Sequence, residues 1–162
     1  MTKPSISYRC ASREDAETIL SFIRGLADFE QLAHECVITK QNLEETIFCD
    51  NPAASVILAE ISGQAVGFAL YFRTYSTFLG KPGMYLEDLF VLPEFRKMGV
   101  GTGLISQLAK IAVENNYGRL EWSVLDWNSN AISLYQSLGA KLMTDWTVNR
   151  VTGVDLINLA SR

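Results

Sequence analysis

An apolar run, Leu89-Phe90-Val91-Leu92, stops at Pro93; Gly99 and Gly101 follow, and then Leu104, Ile105, Leu108, Ile111 and Ala112 recur at helical spacing. A strand therefore passes through a glycine-bearing turn into a long amphipathic helix, an order that belongs to the α/β class. Such a junction binds anions. The first helical turn leaves four N–H groups without intrahelical partners and carries about half a positive charge. Gly99 and Gly101 remove side chains that would hold a pyrophosphate away, and Arg96 adds a cation at the rim. Taken alone, a Gly-x-Gly is equally a tight turn into a helix. Two nucleotide motifs fail on the letters. G-x-G-x-x-G begun at Gly99 needs glycine where Leu104 stands, and G-x-x-x-x-G-K-[ST] fails because Gly80-Lys81 is followed by Pro82 and has Tyr75 in place of its first glycine.

The rest of the chain supplies strands and helices around this junction. Ile6, Tyr8 and Cys10 alternate as a strand, Ser12 and Asp15 form a capping box, and Ile19, Leu20, Ile23, Leu26 and Ala27 predict a helix to about Phe29. Thr39 caps a shorter helix with Leu43, Ile47 and Phe48, closed at Pro52. Strands over 55–62 and 65–75 flank Gly63-Gln64, whose Gly-first order predicts a type II′ hairpin. A loop over 76–83 precedes a strand over 84–92. Leu120, Trp122 and Val124 alternate as another strand, a helix over about 130–138 ends at Gly139, and 141–150 with 154–159 predict a final strand pair.

With 162 residues, 48% hydrophobic and 20% charged, the chain is expected to form one globular domain over 1–162. Fourteen Lys and Arg against eighteen Asp and Glu give a net charge of −4, which argues against nucleic acid and suits a cationic substrate. Cys10, Cys36 and Cys49 lack C-x-x-C spacing and predict small buried hydrophobes, neither disulfides nor a metal site. His34 has no ligand-spaced partner and reads as structural. Trp122, Trp127 and Trp146 read as core or interface residues. The first residues lead into no apolar signal region, and the longest apolar stretch falls far short of the roughly 20 residues of a membrane span, so a cytoplasmic setting is expected.

Arg96-x-x-Gly99-x-Gly101 between an apolar strand and a long helix resembles the acetyl-CoA pyrophosphate loop of the GCN5-related N-acetyltransferases (GNAT). Tyr85-Leu86-Glu87-Asp88-Leu89-Phe90-Val91, Val124-Leu125-Asp126-Trp127-Asn128, Leu134-Tyr135-Gln136-Ser137-Leu138-Gly139-Ala140 and Leu26-Ala27-Asp28-Phe29-Glu30 resemble the spermidine/spermine branch, especially its thialysine-acetylating members. The resemblance covers nearly the whole chain. It implies a single-domain GNAT fold, a twisted, mostly antiparallel mixed sheet flanked by helices and splayed around acetyl-CoA, and a homodimer. It departs at Lys97, where the branch usually has Gly, and at Lys81-Pro82-Gly83-Met84, one residue longer than the family loop.

Acetyl transfer from a thioester to an amine needs a neutral amine, a place for the oxyanion and a proton for the leaving thiolate. The phenol of Tyr135, a group whose ordinary pKa is about 10, is the candidate acid; a core Tyr beside Ile132, Leu134 and Leu138 is the alternative. Glu87 and Asp88 are adjacent on a strand, so alternation sends them to opposite faces. The resemblance favours Glu87 as base and leaves Asp88 to attract the cation, with Phe29 and Glu30 lining the amine pocket. By the same resemblance Leu89, Phe90 and Val91 face the thioester and pantetheine from a bulged strand, Arg96, Lys97, Met98, Gly99, Val100, Gly101 and Thr102 hold the pyrophosphate, and Asn128 holds the pantetheine arm. Asn after Trp127 is equally turn chemistry. The cysteines lie outside these motifs, so transfer is expected to be direct, within a ternary complex.

Overall fold

The computed structural model describes residues 4–162. By their contacts these form two units, one up to Ser123 and one spanning Val124–Arg162.

The first unit is built on a five-stranded sheet in the order β1 (Ile6–Cys10), β2 (Ser55–Ile61), β3 (Gln64–Ser76), β4 (Lys81–Val91), β5 (Leu120–Trp122). The first four run antiparallel to their neighbours, and β5 joins β4 in parallel. Three helices accompany it: α1 (Ala16–Phe29), α2 (Lys40–Thr46) and α3 (Val100–Glu114). The α1 start follows the predicted box, with a 3-10 turn over Arg13–Asp15 and the Ser12 N–H donating to Asp15 Oδ2 at 2.7 Å. Asp15 also pairs with Arg9, which reaches Glu60 on β2, and that guanidinium holds the Asp15 carboxyl down to about 2. Thr39 Oγ1 accepts from the Asn42 N–H and caps α2.

Register assigns the two faces, because directly opposed residues of paired strands share one. Leu58, Phe68 and Phe90 form one row, and Val56, Leu70 and Asp88 the next; both lie on the side covered by Ile19, Leu20 and Phe22 of α1 and Leu43 of α2. The other side meets α3, where Gly101 lies against Val91 and Gly103 against Tyr8. Phe68 is fully buried and its ring stacks on Phe22 at 5.8 Å. Phe68→Ala should therefore cost about 3–5 kcal/mol of unfolding free energy, measurable in urea, since the site is closed on all sides.

Several local expectations are corrected. The β2–β3 hairpin turns on Ser62-Gly63, both at positive φ (52° and 79°), and not on Gly63-Gln64; that is the type I′ signature, whose twist suits the flanking strands. β3 and β4 continue to Ser76 and from Lys81, so the connecting loop is shorter than expected, because Pro82 and Gly83 pair with Tyr75 and Thr74. β5 stops at Trp122, before Val124. The cysteines are not buried hydrophobes: Cys10 lies exposed at the end of edge strand β1, Cys49 is exposed just beyond α2 and Cys36 is half-buried, all three as free thiols.

The second unit contains α4 (Ser129–Ser137), ended by Gly139 at φ 92°, and α5 (Gly153–Ala160). The expected final strand pair is absent among the described residues. Val154, Leu156, Ile157 and Leu159 fit a helical period as well as a strand period, and 141–150 has no partner ladder, without which alternation makes no strand. Trp127 and Trp146 are exposed, so neither is a core residue.

Candidate active site

Two carboxylates owe their placement to one inserted residue. β3 pairs Leu70 with Asp88 but Tyr71 with Leu86, so Glu87 is an extra residue in β4. A bulge of this kind breaks the alternation that would send Glu87 and Asp88 to opposite faces and re-aims side chains locally. Glu87 is exposed, while Asp88 is half-buried on the α1 face. Burial first, then the charges of Glu87 and Glu30, push the Asp88 carboxyl up to about 6. Glu30 is the residue at which α1 ends, and burial raises its carboxyl too. The structure thus places Glu30 and Glu87 each within electrostatic reach of Asp88, an arrangement that favours an incoming cation.

β5 pairs with β4 only from Met84 to Leu86. Beyond that, Glu87, Asp88, Leu89, Phe90 and Val91 have β3 on one side and no strand among the described residues on the other. An open edge of this kind lets backbone groups meet an extended ligand.

The turn after β4 is specified residue by residue. Pro93–Phe95 forms a 3-10 turn, Lys97 sits at φ 61°, and Gly99 at φ 93° precedes the first residue of α3. The left-handed φ at Lys97 explains why glycine suits that position. At Gly101 a Cβ would meet only Val91 Cγ2, at an ordinary 3.8 Å, so the protein itself leaves space over the α3 N-terminus. That space and the orphan amides of the first turn fit a pyrophosphate. Arg96 is not extended at the rim. Its Nε donates to the Val91 carbonyl at 3.0 Å, and its guanidinium carbon lies 5.0 Å from the Phe29 ring centroid and 5.7 Å from that of Phe90.

The other two expected site residues belong to the second unit. Asn128 Oδ1 accepts from the Ala131 N–H at 3.2 Å, so this side chain caps α4. Tyr135 is half-buried on α4. His34 is exposed beside Glu35. Among the described residues no three His, Cys, Asp or Glu side chains gather as for a metal ion, and no helix is long and apolar enough to cross a membrane. An open concavity lined by Arg13, Lys40, Gln41, Glu44, Glu45 and Cys49 has its cations paired with Glu44 and touches none of the residues above.

Two glycines matter that no motif singled out. A Cβ on Gly25 of α1 would lie 2.8 Å from Phe90 Cζ, and one on Gly103 would fall inside the hydroxyl of Tyr8. A glycine within an amphipathic helix was the only available signal, and it does not say what approaches.

Comparison with known proteins identifies the family and the fold. A model of the Acetyltransferase (GNAT) family matches residues 23–140. The chain is 36% identical to the thialysine N-epsilon-acetyltransferase of Mus musculus, over 98% of this chain and 99% of that protein. It is 31% identical to the L-ornithine N5-acetyltransferase of Arabidopsis thaliana, over 93% of this chain and 88% of the relative. An integron cassette protein from the mobile metagenome of V. cholerae superposes with a TM-score of 0.82 at 26% identity, covering 98% of this chain and 99% of the other. With a family model over most of its length and relatives matched nearly end to end, this chain belongs to the GNAT family and is an N-acetyltransferase.

Proposed function

We propose that the chain transfers the acetyl group of acetyl-CoA to a primary amine of a small cation, a thialysine-like lysine analogue or short diamine, by direct attack within a ternary complex. The observation that carries this reading is the bulge at Glu87, which sets Glu87 and Asp88 on the strand that runs into the α3 turn, with Glu30 at the end of α1 close enough for its charge to act on Asp88. Relatives named for thialysine and L-ornithine support the acceptor class.

Acetyl-CoA supplies an activated carbonyl. In this reading Leu89, Phe90 and Val91 flank its arm, with Asn128 beside it, and the segment from Arg96 through Lys97, Met98, Gly99, Val100 and Gly101 to Thr102 takes the pyrophosphate. Phe29, Glu30 and Asp88 hold the ammonium ion, and Glu87, open to solvent at the bulge, accepts its proton through a water. The amine nitrogen then bonds to the carbonyl carbon, the C–S bond breaks, and Tyr135 gives its phenolic proton to the departing thiolate, while the nitrogen sheds its second proton through water and the phenol is restored. We read residues 1–162 as one acetyltransferase domain that works as a cytoplasmic homodimer, without metal.

Gly101→Asp tests the donor half. Because the protein leaves space at this position, the variant should fold normally, yet it puts a negative charge where the pyrophosphate would lie. Calorimetry should show acetyl-CoA affinity reduced by about a hundredfold or more, the cost of a like charge beside the phosphates. Unchanged affinity in a folded variant would remove the phosphate-loop assignment.

A further inference from the structure

Arg96 stands between the donor loop and the acceptor wall. It follows the 3-10 turn that closes β4, so a phosphate-binding loop alone would let its side chain extend toward the anion. The side chain instead folds toward α1. Its guanidinium lies over Phe29, the last residue of α1, and over Phe90 on β4, and Nε is tied to the Val91 carbonyl. Phe90 is in turn packed from above: its ring lies 5.9 Å from that of Phe22 and approaches α1 so closely at Gly25 that a Cβ there would collide with it. Phe22, Phe90, Arg96 and Phe29 therefore make one continuous contact from α1 to the end of β4 and back to the α1 terminus.

The next residue after Phe29 is Glu30, whose charge acts on Asp88. Any displacement of the α1 end alters that acidic wall. We propose that Arg96 is a positioning residue for the amine: clasped between Phe29 and Phe90 and tied to the end of β4, it holds the end of α1, and with it Glu30, in register with the bulge carboxylates. This rests on reading the α3 turn as the donor site and the carboxylates as the acceptor site. Arg96 then joins the two halves: its backbone lies in the donor turn and its side chain pins the acceptor wall.

The test is a double-variant cycle on the intact chain, reading the amine KM with thialysine and the coenzyme A Kd by calorimetry. Two cation–π contacts and one hydrogen bond at an exposed site correspond to about a tenfold effect. Arg96→Leu should raise the amine KM about tenfold, Arg96→Lys should recover part of that loss, and Phe29→Leu should leave the coenzyme A Kd within about twofold. In the Phe29→Leu background, Arg96→Leu should add little to the amine KM, because the ring through which Arg96 holds the end of α1 is already gone. Independent, multiplying effects on the amine KM would overturn the proposal. So would an Arg96→Leu variant that weakens coenzyme A binding and leaves the amine KM unmoved, which makes Arg96 a phosphate cation only. Wild-type protein that binds no coenzyme A would sink the donor reading and the proposal with it, an outcome distinct from the other two.

Discussion

Tyr135→Phe is expected to lower kcat by about 10² to 10⁴, the usual contribution of a general acid, with the Kd for acetyl-CoA unchanged within a few-fold. The phenyl ring nearly keeps the volume of the side chain on α4 and removes the hydroxyl that carries the proton. Its loss should appear in the chemical step, equally in kcat and kcat/KM, since the interaction exists only in the transition state. Single-turnover rates reduced by less than about fivefold would instead assign Tyr135 to packing.

The second large effect concerns pH. Asp88, raised from 3.8 to about 6, carries its charge only above that value in the free protein, so kcat/KM for the amine should fall as the pH drops through about 6. Asp88→Asn should abolish that acidic limb and lower kcat/KM at pH 8 by about a hundredfold, the usual scale for a buried charge that meets a cation. Stability should move the opposite way. Between about pH 4 and 6 the folded chain retains a proton that the unfolded chain has lost, so unfolding free energy decreases as pH rises through this window. Asp88→Asn removes that slope and should gain on the order of 2 kcal/mol at pH 7. A variant that is both less active and more stable marks a residue held in a costly environment for function; unchanged activity with unchanged stability would remove Asp88 from the site.

The junction at the heart of the chain could be read from its letters because its signals are local. Pro93 ends a strand, Gly99 permits the left-handed turn, and the apolar spacing from Leu104 to Ala112 is that of a buried helix face. The carboxylate arrangement was not legible in the same way. Strict alternation separates Glu87 from Asp88; the family resemblance implied a bulged strand, and the pairing of β3 with β4 identifies Glu87 as the inserted residue, since a bulge is a property of two strands, not of one. Arg96 likewise read as a bare cation, since nothing in its neighbours indicates that Phe29, far away in sequence, supplies its resting surface. The Val154 to Leu159 region differs for the opposite reason: a short apolar stretch satisfies two periods at once, and tertiary context alone selects between them.

The most direct test of the account is a panel of amines offered to the purified chain with acetyl-CoA, with thiol release followed and kcat/KM compared across thialysine, lysine analogues, short diamines, spermidine and aminoglycosides. In the proposed site Glu30, Glu87 and Asp88 form one subsite for a cation, and a long polyamine needs more for its distal ammonium groups. Thialysine or a similar short amine should therefore give the highest kcat/KM, above spermidine. Spermidine leading the panel by about tenfold, a difference of roughly 1.4 kcal/mol in transition-state binding, would contradict the account and assign the chain to the polyamines.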